Sequence, residues 1–233
     1  MSWLFANFGE VWSLALAHIG LSIPPIVAGF VVSLPFGWLA NRYHASRGTI
    51  LAIVGILYAI PSLPLFIFMP AILGTSILSP VNVIVALSIY ALAIMVRTTA
   101  DGLASVPKDV VQSATAMGYS AWQRFWRIEL PLAGPVLLAG IRVVSVSTIS
   151  LVSVGAVIGV SSLGYLFLDS FNRDFPAEAL IGIVAILVIA LVFDAALVLL
   201  GRALMPWTRV AARAQRAARQ SSARVTLQTS RTR

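Results

Sequence analysis

Five apolar stretches, each long enough or nearly long enough to cross a lipid bilayer, run through this 233-residue chain over residues 14–40, 49–73, 81–96, 131–160 and 179–201. A membrane helix needs roughly 20 such residues, a length that the third stretch only just approaches. Within hydrocarbon each backbone N–H and C=O must be satisfied inside the segment, so runs of this kind are read as helices. Charged residues make up only 10% of the chain and hydrophobic residues 59%, against about 25% charged in soluble domains. The expected fold class is therefore an all-α integral membrane protein with five transmembrane helices.

Charge placement orients the spans. With the first loop, the stretch between the third and fourth spans, and the tail on one side, that side holds Arg42, Arg47, Arg97, Lys108, Arg124, Arg127 and every arginine of the tail. The other side keeps only Arg173. By the positive-inside rule the basic side is cytoplasmic, which puts the N-terminus outside and the C-terminus inside. Residues 1–13 carry Trp3, Phe5, Phe8 and Trp12 without lysine or arginine, so they read as an interfacial N-terminal segment rather than a cleaved signal. The transmembrane domain is expected over residues 14–207. Residues 208–233 read as a disordered, basic cytoplasmic tail whose arginines sit on anionic headgroups, each worth about 1 kcal/mol. No aromatic residue follows Trp207, so the net charge of +8 does not imply a nucleic-acid partner.

Several chemistries are excluded. The chain has no cysteine, hence no disulfide or thiolate site. Its one lysine, Lys108, follows Pro107 rather than a glycine-rich loop, so the phosphate-binding loop of an ATPase is missing. His18 and His44 are too far apart for the two-histidine helix of a metalloprotease. No cofactor or metal is expected on this chain. The rival reading is an intramembrane enzyme using Asp101, Asp109 and Glu129, whose spacing matches no metal motif.

The segment from about 105 to 130 is too polar to span and too apolar on one face to stand alone in water. Pro107 suits a first helical turn, and Val110, Val111, Ala114 and Met117 follow at helical spacing. Gly118 can take the left-handed conformation that ends this helix. Ser120 with Gln123 forms a capping box for a second helix bearing Trp122, Phe125 and Trp126. The spacing predicts two short helices meeting at a glycine hinge, a hairpin that wants a partner.

Three further features lie inside the spans. Pro61 and Pro64, flanking Ser62, fall near mid-bilayer; the carbonyls they free must face a watery pathway or be satisfied by neighbouring helices. Ser147 and Ser150 are pathway hydroxyls or bond back to their own helix, the commoner arrangement. Arg142 and Asp194 are the two charges well inside spans, at similar depths, and either pair with each other or snorkel separately.

The run Gln112-Ser113-Ala114, three residues, Gly118, nine residues, Ile128-x-Leu130-Pro131 resembles the cytoplasmic "EAA" loop of binding-protein-dependent ABC importer permeases. Ala114, Gly118, Ile128, Leu130 and Pro131 fall on that pattern in register. Gln112 and Ser113 depart from the family's Glu-Ala, so the family glutamate's ionic contact does not transfer. The resemblance implies ATPase coupling through Gln112, Ala114, Met117, Gly118, Tyr119, Ile128, Leu130 and Pro131. Gly155 and Gly159 resemble the glycine-rich end of the fourth span in such permeases, which implies a place near the pathway and the subunit contact. Residues 97–103, 139–142 and 171–173, together with Asp194, Pro206 and Trp207, resemble the osmoprotectant group that imports glycine betaine, choline or carnitine. Methionine importers share the five-span pattern. The resemblance implies a multi-pass bacterial cell membrane protein with ABC ATPase subunits, a second permease subunit and an extracytoplasmic substrate-binding protein as partners. ATP is then used by the partner subunit.

Overall fold

The computed structural model describes residues 2–207, and the basic tail, 208–233, lies outside them. Among the described residues the chain is entirely helical: α1 (Ser2–Ala6), α2 (Phe8–Arg42), α3 (His44–Ala59), α4 (Ser62–Leu73), α5 (Pro80–Ala104), α6 (Lys108–Ala116), α7 (Ala121–Arg124), α8 (Leu130–Val152), α9 (Tyr165–Arg173) and α10 (Pro176–Leu204). Among the described residues four helical stretches are long and apolar enough to cross a membrane: α2, α5, α7 with α8, and α10. A fifth span exists if α3 and α4, bent by 100° at their break, are counted as one.

α5 is the centre of the bundle. It buries Val83, Leu87, Met95, Val96 and Ala100 almost completely, and it packs against α2, α3, α4 and α8. Small residues allow this. A Cβ on Gly29 of α2 would stand 2.5 Å from Ala91 Cβ and 2.9 Å from the Ala91 backbone carbon, so these two helices touch backbone to backbone. Polar pins add specificity within the apolar packing. His18 Nε2 meets the Ile149 carbonyl at 2.8 Å, tying α2 to α8, and Ser33 meets Thr99 at 3.2 Å, tying α2 to α5.

Several boundaries differ from the sequence expectation. α2 begins at Phe8, within the stretch read as interfacial, and continues through Pro24, Pro25 and Pro35 to Arg42. α5 runs eight residues past Val96 because a charged residue ends a hydrocarbon span without ending a helix; beyond it Asp101 pairs with Arg47 at 2.7 Å. The fourth span is not one helix to residue 160. α8 stops at Val152, tightens into a 3₁₀ turn over Ser153–Ile158, and ends at Gly159, whose φ of 84° is the left-handed cap that glycine favours.

Both ends of the bundle are consistent in their charge. The Arg47–Asp101 bridge brings the start of α3 to the end of α5, and Met205 lies against Gly134 near the start of α8. Arg42, Arg47, Lys108, Arg124, Arg127 and Arg202 thus share the end of the molecule that carries α6 and α7. The opposite end carries Arg173, bound to Asp169 at 3.0 Å and 3.8 Å from the buried Glu178.

Candidate coupling hairpin and pathway elements

α6 ends as its sequence requires. Gly118 adopts φ 86°, Tyr119 N–H donates to the Ala114 carbonyl at 3.2 Å, and Gly118 N–H donates to the Thr115 carbonyl at 3.0 Å. This is the paired hydrogen-bond closure of a helix on a left-handed residue. Space is no constraint at Gly118, since nothing lies within 4 Å of where its Cβ would stand; the backbone angle alone demands glycine. Ser120 and Gln123 cap α7 reciprocally, at 3.0 and 3.3 Å.

The second arm of the hairpin is not a separate helix. α7 passes through a π turn at Phe125–Glu129 directly into α8, giving one helical body from Ala121 to Ile158. Pro131 has no N–H for the Arg127 carbonyl, and its ring would crowd that carbonyl in a regular helix; the wider turn just before it relieves both. Inside this junction Arg124 Nε donates to Glu129 Oε1 at 2.5 Å and its terminal nitrogen donates to Thr115 Oγ1 at 2.7 Å. Both charged side chains are nearly buried, 12% and 7% exposed. α6 is thereby bonded through Thr115 and Arg124 to the start of α8. Phe125, buried, extends the joint to α2 by an edge-on contact with Trp38 at 6.3 Å.

The residues singled out from the sequence divide by exposure. Gln112, Met117, Gly118 and the hairpin's Trp122 are exposed; Tyr119, Ile128, Leu130 and Pro131 are half-buried; Ala114 is buried against the rest of the molecule. The hairpin therefore exposes Gln112, Met117 and Trp122 to solvent, the last with 67% of its surface open. Glu129 and Asp101, two of the carboxylates of the enzyme reading, are each held by an arginine.

At the α3–α4 break, Pro64 cannot donate to the Ile60 carbonyl four residues earlier. Tyr90 of α5 supplies the missing donor through its hydroxyl. Pro61 and Pro64 are exposed, with Ser62 half-buried between them. α4 carries Leu65, Phe66 and Met69 into a core shared with Val152 and Val160, and with Val154 and Ile158 of the 3₁₀ turn, which brings the break near Gly155. Gly155 is buried, where a Cβ would stand 3.1 Å from Val83. Gly159 borders a hollow of about 330 Å³ with Ala17, Gly20 and Ser161. Ser150 is exposed and Ser147 half-buried on α8; the Ser150 carbonyl accepts from Ser153 at 2.6 Å.

Arg142 and Asp194 form a two-pronged pair: Nε to Oδ1 at 2.6 Å and a terminal nitrogen to Oδ2 at 2.8 Å. This geometry is the strong one for arginine and carboxylate, and it fastens α8 to α10 within the spans. Sequence reading missed the Arg124–Glu129 pair. Its signal was an opposite-charge couple five residues apart, a spacing that a regular helix does not bring face to face and that the π turn does.

These features define a polytopic helical membrane protein that presents an amphipathic hairpin, continuous with one span, at its basic end. The chain belongs to the family described as binding-protein-dependent transport system inner membrane component, whose model matches residues 33–209. It is 32% identical over 206 residues to the choline transport system permease protein OpuBB of Bacillus subtilis (strain 168), covering 88% of this chain and 94% of that one. It is 30% identical, with the same coverage, to the glycine betaine/carnitine/choline transport system permease protein OpuCB of the same organism. Among solved structures, an inward-facing conformation of the MetNI methionine ABC transporter matches with a TM-score of 0.77 at 21% identity, covering 85% of this chain and 98% of that one. The chain is thus an inner-membrane ABC permease subunit, a transport component.

Two outcomes follow for the ion pairs. Arg124→Ala strands Glu129 in a nearly dry site and is expected to cost about 3–5 kcal/mol, whereas Arg124→Met with Glu129→Leu loses far less; thermal unfolding of the detergent-purified protein measures both. Reversing Arg142 or Asp194 alone is expected to depress folded yield at least several-fold, and reversing both together to recover it, read by size-exclusion profile.

Proposed function

We propose that this chain forms the translocation pathway of an ATP-driven importer for a quaternary ammonium osmoprotectant such as glycine betaine, choline or carnitine. The observation that carries the reading is about 30% identity over nearly the whole chain to permeases named for those solutes, joined to a hairpin built as a docking element.

In this reading the basic end faces the cytoplasm, the N-terminus lies outside and the C-terminus inside. Two permease subunits, identical or homologous, face each other, and an extracytoplasmic binding protein delivers the solute. Each hairpin seats Gln112, Met117, Gly118 and Trp122 in a groove of one ABC ATPase subunit, a helix-in-groove contact. Ala114 and Tyr119 hold the shape of the hairpin, and Ile128, Leu130 and Pro131 join it to α8. When the ATPases close on ATP, the displaced hairpin carries α8 with it, because Arg124 bonds both arms to Glu129. The glycine-rich turn at Gly155 and Gly159 and the break at Pro61, Ser62 and Pro64 lie at the far end of that lever and line the pathway with Ser147 and Ser150. Nucleotide chemistry stays on the partner subunit. Gln112 replaces the family's glutamate with a neutral side chain, so coupling here relies on shape and hydrogen bonding at that position.

Gly118→Val forces a branched residue to φ 86°, a left-handed conformation costing about 1–2 kcal/mol, and is expected to reduce coupled uptake at least tenfold while membrane insertion persists. The measurement is radiolabelled uptake into proteoliposomes holding the permease, its ATPase and its binding protein, with glycine betaine, choline and methionine offered separately. Uptake of methionine but of neither quaternary amine overturns the substrate; unimpaired uptake by the variant overturns the hinge.

A further inference from the structure

α2 and α10 share a core in which Val11 and Leu14 pack with Ile189, and a groove lies between Phe30 and Leu34 of α2 and Leu197 and Leu200 of α10. This groove, floored by α8, has a volume of about 570 Å³ and is lined by apolar residues throughout, among them Phe30, Leu34, Leu138, Leu197 and Leu200, with Trp126 and Trp207 also in its lining. A second hollow of about 280 Å³ adjoins it, sharing Pro131 and Trp207, and brings in Arg127. Arg127 is exposed, and among the described residues it takes part in none of the ion pairs. An apolar slot of ligand size, with the Arg127 guanidinium in the adjoining hollow and two tryptophans in its lining, the residue type that favours a membrane surface, matches a molecule with a long apolar chain and an anionic head. The arginine-rich stretch that follows Trp207, beginning with Arg209, Arg213 and Arg216, is the wrong chemistry to fill the slot.

We propose that the groove between α2, α8 and α10 seats one acyl chain of an anionic phospholipid of the inner leaflet, with its phosphate on Arg127. The proposal rests on the cytoplasmic placement of the basic end given above. Seated there, the acyl chain packs against Trp126 of the π turn and Leu130 just after it, and braces the joint between hairpin and span from the membrane side.

The test uses the full permease–ATPase complex in nanodiscs, with phosphatidylglycerol or phosphatidylcholine carrying a photoreactive group on one acyl chain and crosslinks mapped by mass spectrometry. Phosphatidylglycerol is expected to label the groove residues Leu138, Leu197 and Leu200 about fivefold more than phosphatidylcholine, the ratio that one headgroup–arginine contact supplies. Arg127→Gln is expected to erase that preference, and Leu200→Trp, which fills the slot, to abolish groove labelling by both lipids. Complex assembly, followed by size exclusion, serves as the folding control. Equal labelling by the two lipids in the wild type, or a preference that survives Arg127→Gln, overturns the proposal, as does a groove unlabelled because it is covered by the ATPase or a second permease subunit. Orientation is read separately: Ser105→Cys, the sole cysteine in the chain, reacts with a membrane-impermeant maleimide only from the cytoplasmic side. Labelling from outside overturns the topology whatever the lipid result.

Discussion

A nearly dry ion pair at a widened helical turn joins the two working parts of this molecule. Arg124 reaches Glu129 across the π turn and Thr115 across the hairpin, so that the exposed arm, the return arm and the start of α8 are bonded to one another. A flexible loop carrying the same exposed residues could bind a partner equally well and transmit nothing. Burial makes the joint stiff: with both charges withdrawn from water, separating them leaves each without compensation, a far larger penalty than breaking an exposed pair. The π turn is the geometric condition for this, because it rotates positions 124 and 129 onto one face and lets Pro131 begin a span without a clash.

The remainder of the bundle meets the same demand by other means. Where α3 and α4 break, the carbonyl that Pro64 frees is taken by the Tyr90 hydroxyl. That carbonyl is thereby satisfied within the protein, and Pro61 and Pro64 are both exposed. Where charge enters the spans, Arg142 and Asp194 neutralise each other with two hydrogen bonds. Where α2 must lie close along α5, Gly29 removes the side chain in the way.

Much of this was legible in the residues. The number of apolar runs, the polar hairpin between the third and fourth, the glycine that ends α6 and the capping box at Ser120 each follow from local rules that need no partner. What escaped is what depends on register or on distant contacts. Proline marks a helix start, so the sequence puts the beginning of the fourth span at Pro131; α7 runs straight into it because a π turn makes room for the ring. The second span reads as continuous in hydropathy, yet it bends by 100°, because two prolines three apart remove two donors in succession. Gly155 and Gly159 have the spacing of a helix-packing motif, yet they do different work: Gly155 lies against Val83 of α5, while Gly159, close to Leu78, closes a 3₁₀ turn at φ 84°. Arg124 and Glu129, five apart, have no place in a regular helical pattern.

That hairpin and α8 form one lever can be tested by distance. In the cysteine-free chain, spin labels at Ser113 on α6 and Val136 on α8 report motion within one subunit, and a single label at Ser150 reports separation between the two subunits of a homodimeric complex. Pulsed electron resonance on the reconstituted complex, with and without ATP, is expected to find the Ser113–Val136 distance unchanged while the Ser150–Ser150 distance shifts by several ångströms. A Ser113–Val136 distance that changes with nucleotide while Ser150 stays still would contradict the account, for the hairpin would then slide on α8 instead of carrying it.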